Sequence, residues 1–196
     1  MKLPYLLLTV VIFLLPGDAQ GQTWALPAQL DDSNTAVSFE VDSTFHLVQG
    51  KTSQISGTVR QAKRDDPLAI EVDLSIPVRS FNTDWDLRDE ELAKVMAAAD
   101  FPSVRFTSNH LHENCHPARL RNDGHCTGTL EGTLTIRDVT QPVSLPVEIT
   151  RENGRDLISG KLTVSWADYH VEDPSILIAK LAPVVTISYS TEIPVR

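Results

Sequence analysis

The sequence predicts a mainly β fold: a single antiparallel domain interrupted by one short helix. Three observations carry that prediction. Apolar and polar residues alternate at period two in one run after another, from Val37-Ser38-Phe39-Glu40-Val41 to Val185, Ile187 and Tyr189. The connections between runs are short and rich in turn-forming residues, which suits antiparallel neighbours rather than parallel crossovers. Between Ser80 and Phe106 alone, the spacing of apolar residues becomes helical.

The first residues read as a secretory signal peptide over 1–21. Lys2 precedes an apolar run from Leu6 to Leu15, then Pro16-Gly17, then small residues Ala19 and Gly21 before a cut at Gln22. The run is shorter than the ~20 residues that span a bilayer, and no cysteine follows the cut to carry a lipid anchor. Residues 22–35 are expected as a lead-in and 36–196 as the folded domain, and the chain is expected to be secreted.

Within the domain, Val37, Phe39 and Val41 share one face of a half-buried strand. Phe45 and Leu47 precede Gly50, and Ile55, Gly57 and Val59 continue the period as far as the turn at Asp65-Asp66-Pro67. Leu68, Ile70, Val72, Leu74 and Ile76 then oppose Glu71, Asp73 and Ser75. Next comes the helix, expected over about 86–99. Asp86 is its predicted cap, Asp89 and Glu90 suit the positive end of the dipole, and Leu92, Val95, Met96 and Ala99 form its apolar stripe. Phe101-Pro102 stops it.

Val104 and Phe106 resume the β period. Leu130 to Ile136 and Val143 to Ile149 follow as two strands, and Pro146 marks the second as an edge or a bulge. Asn153-Gly154 predicts a type I′ hairpin turn, because both residues tolerate positive φ. Leu162, Val164 and Trp166 alternate, a helical turn is expected near 175–181 after Pro174, and Val185 to Tyr189 closes the series.

Eight or nine such strands either close into a barrel or stack as a sandwich. The inner face, in either case, is expected to carry Phe39, Phe45, Ile70, Leu74, Phe106, Leu134, Ile136, Val164, Trp166, Ile187 and Tyr189. In a sandwich these residues are simply core. In a barrel they would enclose an apolar ligand.

The net charge is −9, with no cluster of Lys or Arg along which a phosphate backbone could lie. Nucleic acid and anionic membrane surfaces are poor partners for such a chain. The two cysteines, Cys115 and Cys126, bracket a turn-rich loop in a chain bound for an oxidising compartment, so a disulfide stapling a hairpin is expected. There is no Gly-x-Ser-x-Gly elbow or phosphate-cradling glycine loop. No catalytic residue is assigned.

Four segments together resemble the YceI-like family of periplasmic, polyisoprenoid-binding proteins. They are VSFEVDSTFHLVQGKTSQISGTV, SFNTDWDLRDEEL with Thr83 ahead of Arg88-Asp89, FPSVRFTS, and GTLTIRDVTQPVSLPV. The resemblance implies a single eight-stranded, lipocalin-like antiparallel β-barrel with a long isoprenoid or related amphiphilic lipid in its interior. It implies a binding protein without catalysis or cofactor, and a homodimer is compatible with it. Two departures stand out: Asp138 replaces the family's usual Gly before Val-Thr, and the insertion from His110 to Cys126 is longer and richer in His and Cys.

Arg88 and His46 are the candidates for contact with a ligand's polar head, since a guanidinium suits phosphate or carboxylate. The alternative reading is a copper or zinc site in the insertion, built on His110, His112, His116 and His125 with the cysteine sulfurs.

Overall fold

The computed structural model describes residues 24–52, 54–112, 115, 117–173, 175 and 180–196. The expected signal peptide lies outside the described residues, as do positions 176–179 of the expected helical turn.

Among the described residues, eleven strands form one antiparallel sheet. They are β1 (Ala28–Asp31), β2 (Thr35–Asp42), β3 (Leu47–Thr52), β4 (Ser56–Lys63), β5 (Asp66–Pro77), β6 (Phe81–Asn82), β7 (Ser103–His112), β8 (His125–Ile136), β9 (Val139–Glu152), β10 (Arg155–Ser165) and β11 (Val184–Pro194). Among the described residues two α-helices join them, α1 (Asp86–Val95) and α2 (Pro117–Asp123). β1 therefore falls within the stretch expected as a lead-in.

The expected eight strands are thus corrected to eleven, and the excess arises from three interruptions. β1 and β2 are separated by a turn in which Asp31 accepts from the Ser33 amide at 2.8 Å and Asn34 accepts from the Asp31 amide at 3.1 Å. β3 and β4 are separated beside Gln54, whose amide donates to Thr52 Oγ1 at 3.2 Å. β5 and β6 are separated by a 3-10 turn at Val78–Ser80. The halves of each interrupted run keep the same neighbours: β1 pairs with β4 and β2 with β3, while β4 pairs with β5 and β3 with β6. β11 in turn pairs with β2, so the sheet curls until its last strand meets its first run.

The curled wall has two distinct ends. The β2–β3 turn, α1 and the start of β11 stand at one, called here the α1 end. The β4–β5 turn, α2 and the Asn153-Gly154 turn stand at the other, the disulfide end. Asn153 and Gly154 have φ of 50° and 76°, the left-handed pair that a type I′ hairpin requires.

One seam in the wall is only half closed. β9 pairs with β8 from Val139 to Thr150, but with β10 only from Glu148 to Glu152. Pro142 and Pro146 both fall in the remaining stretch, where a missing N–H toward β10 forfeits no ladder bond. The edge position read from Pro146 is therefore local to the α1 half of β9.

Helix α1 is shorter than expected, and its cap differs. Trp85 occupies the N-cap without a side-chain hydrogen bond, and Asp86 is the first helical residue. Asp89 instead accepts from the Thr83 amide at 2.9 Å and from the Thr83 hydroxyl, which fixes the entry of the chain into the helix. The helix ends at Val95, and Ala97 follows with φ of 48°, a left-handed conformation that terminates it before Ala99.

A candidate apolar ligand cavity

The period-two alternation points one side chain in two toward the interior of the curled sheet, and there they leave a cavity of about 280 Å³. All the residues expected on the inner face line it except Phe45. Phe45 is corrected: it stands in the β2–β3 turn and is 66 % exposed. The turn breaks the register, because Asp42 pairs with Leu47 and the inward positions of β3 become Val48 and Gly50. Phe39 fills the space above Gly50, where a Cβ would lie 2.4 Å from its ring. Phe81 meets Phe39 edge to face at 5.6 Å.

Sequence reasoning missed several lining groups. Leu92 and Val95 of α1 and Met96 just after it roof the cavity, and Val72, Leu145, Val147 and Leu162 add to its wall. The signal was present in each case: the strand residues share the parity of Leu74, Ile149 and Val164, and the helical residues form the apolar stripe of α1.

The electrostatics of the lining are simple. Among the described residues no Asp, Glu, Lys, Arg or His lines the cavity, and Tyr189 is the one titratable side chain in its lining. Burial pushes the Tyr189 phenol well above its ordinary value of 10.0, so it stands neutral. Its hydroxyl donates to the carbonyl of Pro146, and its ring lies over Gly160, the position opposite it on β10. Tyr189 thus reaches from β11 across the half-closed seam to β9.

The disulfide end is sealed. Leu30, Val59, Leu111, Val147, Ile149, Ile158 and Ile193 are all buried, and Cys115, Leu120 and Cys126 pack against them. Cys115 and Cys126 form the expected disulfide, with a Cα–Cα distance of 5.1 Å. Asp156, fully buried, accepts from Arg151 Nε at 2.7 Å, Arg151 Nη2 at 2.7 Å and Trp24 Nε1 at 2.6 Å. At the α1 end, by contrast, the lining residues Leu92, Val95, Met96, Trp166, Val171, Leu181 and Val185 are only half-buried.

The two head-group candidates stand at the α1 end but outside the cavity lining. His46 is exposed in the β2–β3 turn, where its carbonyl accepts from the Ser43 amide at 3.2 Å. Arg88 donates from Nε to Thr83 Oγ1 at 2.8 Å and from Nη2 to the Thr83 carbonyl at 2.6 Å, and its guanidinium lies 5.4 Å from the Trp85 ring centroid. In the insertion, His110 and His112 stand with ring centroids 4.4 Å apart, and His125 Nδ1 is 3.9 Å from Glu148. His116 lies outside the described residues. Among the described residues no group of three or more His, Cys, Asp or Glu is placed to hold a metal ion, and the disulfide withdraws both sulfurs from thiolate ligation.

The family model for the YceI-like domain matches residues 29–193, which span the alternating β wall, the apolar cavity and α1. The chain belongs to the YceI-like family. Among solved structures, BcnA of Burkholderia cenocepacia superposes with a TM-score of 0.66 at 18% identity, covering 81% of this chain and 95% of that one. A polyisoprenoid binding domain from Saccharophagus degradans, described as implicated in plant cell wall breakdown, gives 0.66 at 15% identity, covering 86% and 97%. The YceI protein of Campylobacter jejuni gives 0.59 at 21% identity, covering 74% and 83%. At these identities the likeness establishes the shared YceI-like fold. No curated protein matches the chain.

Proposed function

We propose that this protein binds and carries, without catalysis, a long apolar chain of isoprenoid type inside its curled sheet, in the periplasm. The observation that carries the proposal is the cavity itself, about 280 Å³ and lined, among the described residues, without a charged side chain. Such a lining offers no general acid, base or nucleophile poised near neutral pH, but it offers continuous apolar contact to a hydrocarbon. Burial of each methylene is worth about 0.8 kcal/mol, so a five-carbon unit contributes about 4 kcal/mol. About four such units outweigh the roughly 4–15 kcal/mol cost of immobilising a ligand. The residues assigned to the hydrocarbon are Phe39, Ile70, Leu74, Phe106, Leu134, Ile136, Val164, Trp166, Ile187 and Tyr189. A polar head is assigned to the α1 end, where the lining is half-buried and Arg88 and His46 stand nearby. The polyisoprenoid binding domain among the solved relatives and the disulfide, which suits an oxidising compartment, both support this reading.

The test is uptake. Delipidated protein is titrated with a long-chain isoprenoid quinone presented in detergent micelles, beside a variant in which Leu145→Trp fills the cavity. Stoichiometric uptake by the parent and at least a tenfold weaker response in the variant are expected. No uptake by the parent would remove the proposal.

A further inference from the structure

Six large apolar side chains are exposed among the described residues, and five of them gather at one end of the molecule. Phe45 and Leu47 stand in and after the β2–β3 turn, Trp85 and Leu87 begin α1, and Val184 begins β11, with exposures of 66, 45, 56, 66 and 43 %. The sixth, Leu157, belongs to the β9–β10 hairpin at the disulfide end. β11, β2, β3 and β6 are successive neighbours in the sheet, and α1 follows directly on β6, so the five form one arc along the rim of the α1 end.

We infer that this arc is a docking surface for a phospholipid bilayer of neutral head groups, from which the cavity is loaded. The inference rests on the carrier reading proposed above. An exposed apolar arc of this extent marks an interaction surface, and its continuity with the cavity names the occupant. The helix that exposes Leu87 also turns Leu92 and Val95 into the cavity. A hydrocarbon leaving a bilayer at this rim reaches the cavity without crossing water, which would cost about 0.8 kcal/mol for each methylene exposed. Trp85 stacked by the Arg88 guanidinium is an aromatic with a polar neighbour, the combination that settles at the head-group level of a membrane.

Charge selects the kind of surface. The chain carries a net charge of −9, and in and beside the start of α1 the carboxylates of Asp84, Asp86, Asp89 and Glu90 outnumber the one guanidinium, Arg88. These carboxylates repel anionic head groups, whereas neutral ones admit the rim through apolar contact alone.

The experiment compares the mature protein with F45D/L87D, two changes at exposed positions. Flotation with phosphatidylcholine vesicles is expected to carry the parent upward and to lose it about tenfold or more in the variant, since each large apolar side chain withdrawn from water is worth roughly a decade. Equimolar phosphatidylglycerol is expected to weaken the parent's binding. Transfer of an isoprenoid quinone from vesicles falls by the same factor in the variant, while uptake from detergent micelles stays at the parent's level. Failure of the parent to float with phosphatidylcholine overturns the inference, as does tighter binding to the anionic vesicles. A parent that sediments as a dimer, with F45D/L87D monomeric, also overturns it by making a second copy the occupant. If the parent takes up no quinone from micelles, the carrier reading fails separately, and flotation still decides whether the rim meets a membrane.

Discussion

Trp24 donates its indole N–H to Asp156 at 2.6 Å, across 132 positions of sequence. This bond ties the beginning of the described chain to β10 and completes the partners of a carboxylate that has no contact with solvent. The same carboxylate holds Arg151, whose side chain is 11 % exposed. The knot seals the disulfide end and leaves the α1 end as the side from which the cavity is reached.

Asp156→Ala is expected to cost about 3–5 kcal/mol, because it leaves the Arg151 guanidinium partly buried without its carboxylate. Trp24→Phe removes only one hydrogen bond to a charged acceptor and is expected to cost about 1.5–3 kcal/mol. Urea denaturation followed by circular dichroism measures both. Equal, negligible effects would show that the knot does not hold this end together.

Tyr189 gives the protein an alkaline limb. Burial raises its phenol above the 10.0 expected for the unfolded chain. A group raised in this way contributes stability that is fully present below pH 10 and declines as pH rises past that value, because the unfolded state then releases a proton that the folded state retains. Tyr189→Phe is expected to flatten this decline. It also removes the bond to Pro146, so it lowers stability near neutral pH. Denaturant midpoints taken in steps from neutral to strongly alkaline pH check both effects, and parallel curves for parent and variant would contradict the assignment.

The disulfide closes a short loop, with a sequence separation of 11 between Cys115 and Cys126. Loop-closure entropy assigns such a link about 3 kcal/mol. Replacing both cysteines with serine is expected to cost about that much and to leave quinone uptake intact, because the loop lies at the sealed end. Loss of uptake in a folded double variant would show that this end takes part in binding.

Much of this fold was legible in the alternation of apolar residues. Ile70, Leu74, Leu134 and Ile187 face the cavity because strand parity places them there, and parity can be read directly from sequence. Phe45 was misplaced because a four-residue turn resets that parity, and nothing local to Phe45 reports which residues pair across the turn. Asp86 was misread as a cap because Trp85 takes that position and the polar fastening comes instead from Asp89 and Thr83. Asp156 was overlooked although its parity matches Ile158 and Leu162. A carboxylate in an alternating strand is normally on the solvent face, and only Arg151 and Trp24, brought by other segments, make its burial tolerable. The cavity roof depended on tertiary placement of α1, which the helical stripe announced without saying what it would cover.

Native mass spectrometry of the protein as isolated reads whether the cavity carries a hydrocarbon. A species heavier than the bare chain by one lipid is expected, which organic extraction releases and which Leu145→Trp fails to retain. A protein that is isolated reproducibly at the bare mass, and stays there after exposure to isoprenoid quinones and prenyl phosphates, would contradict it.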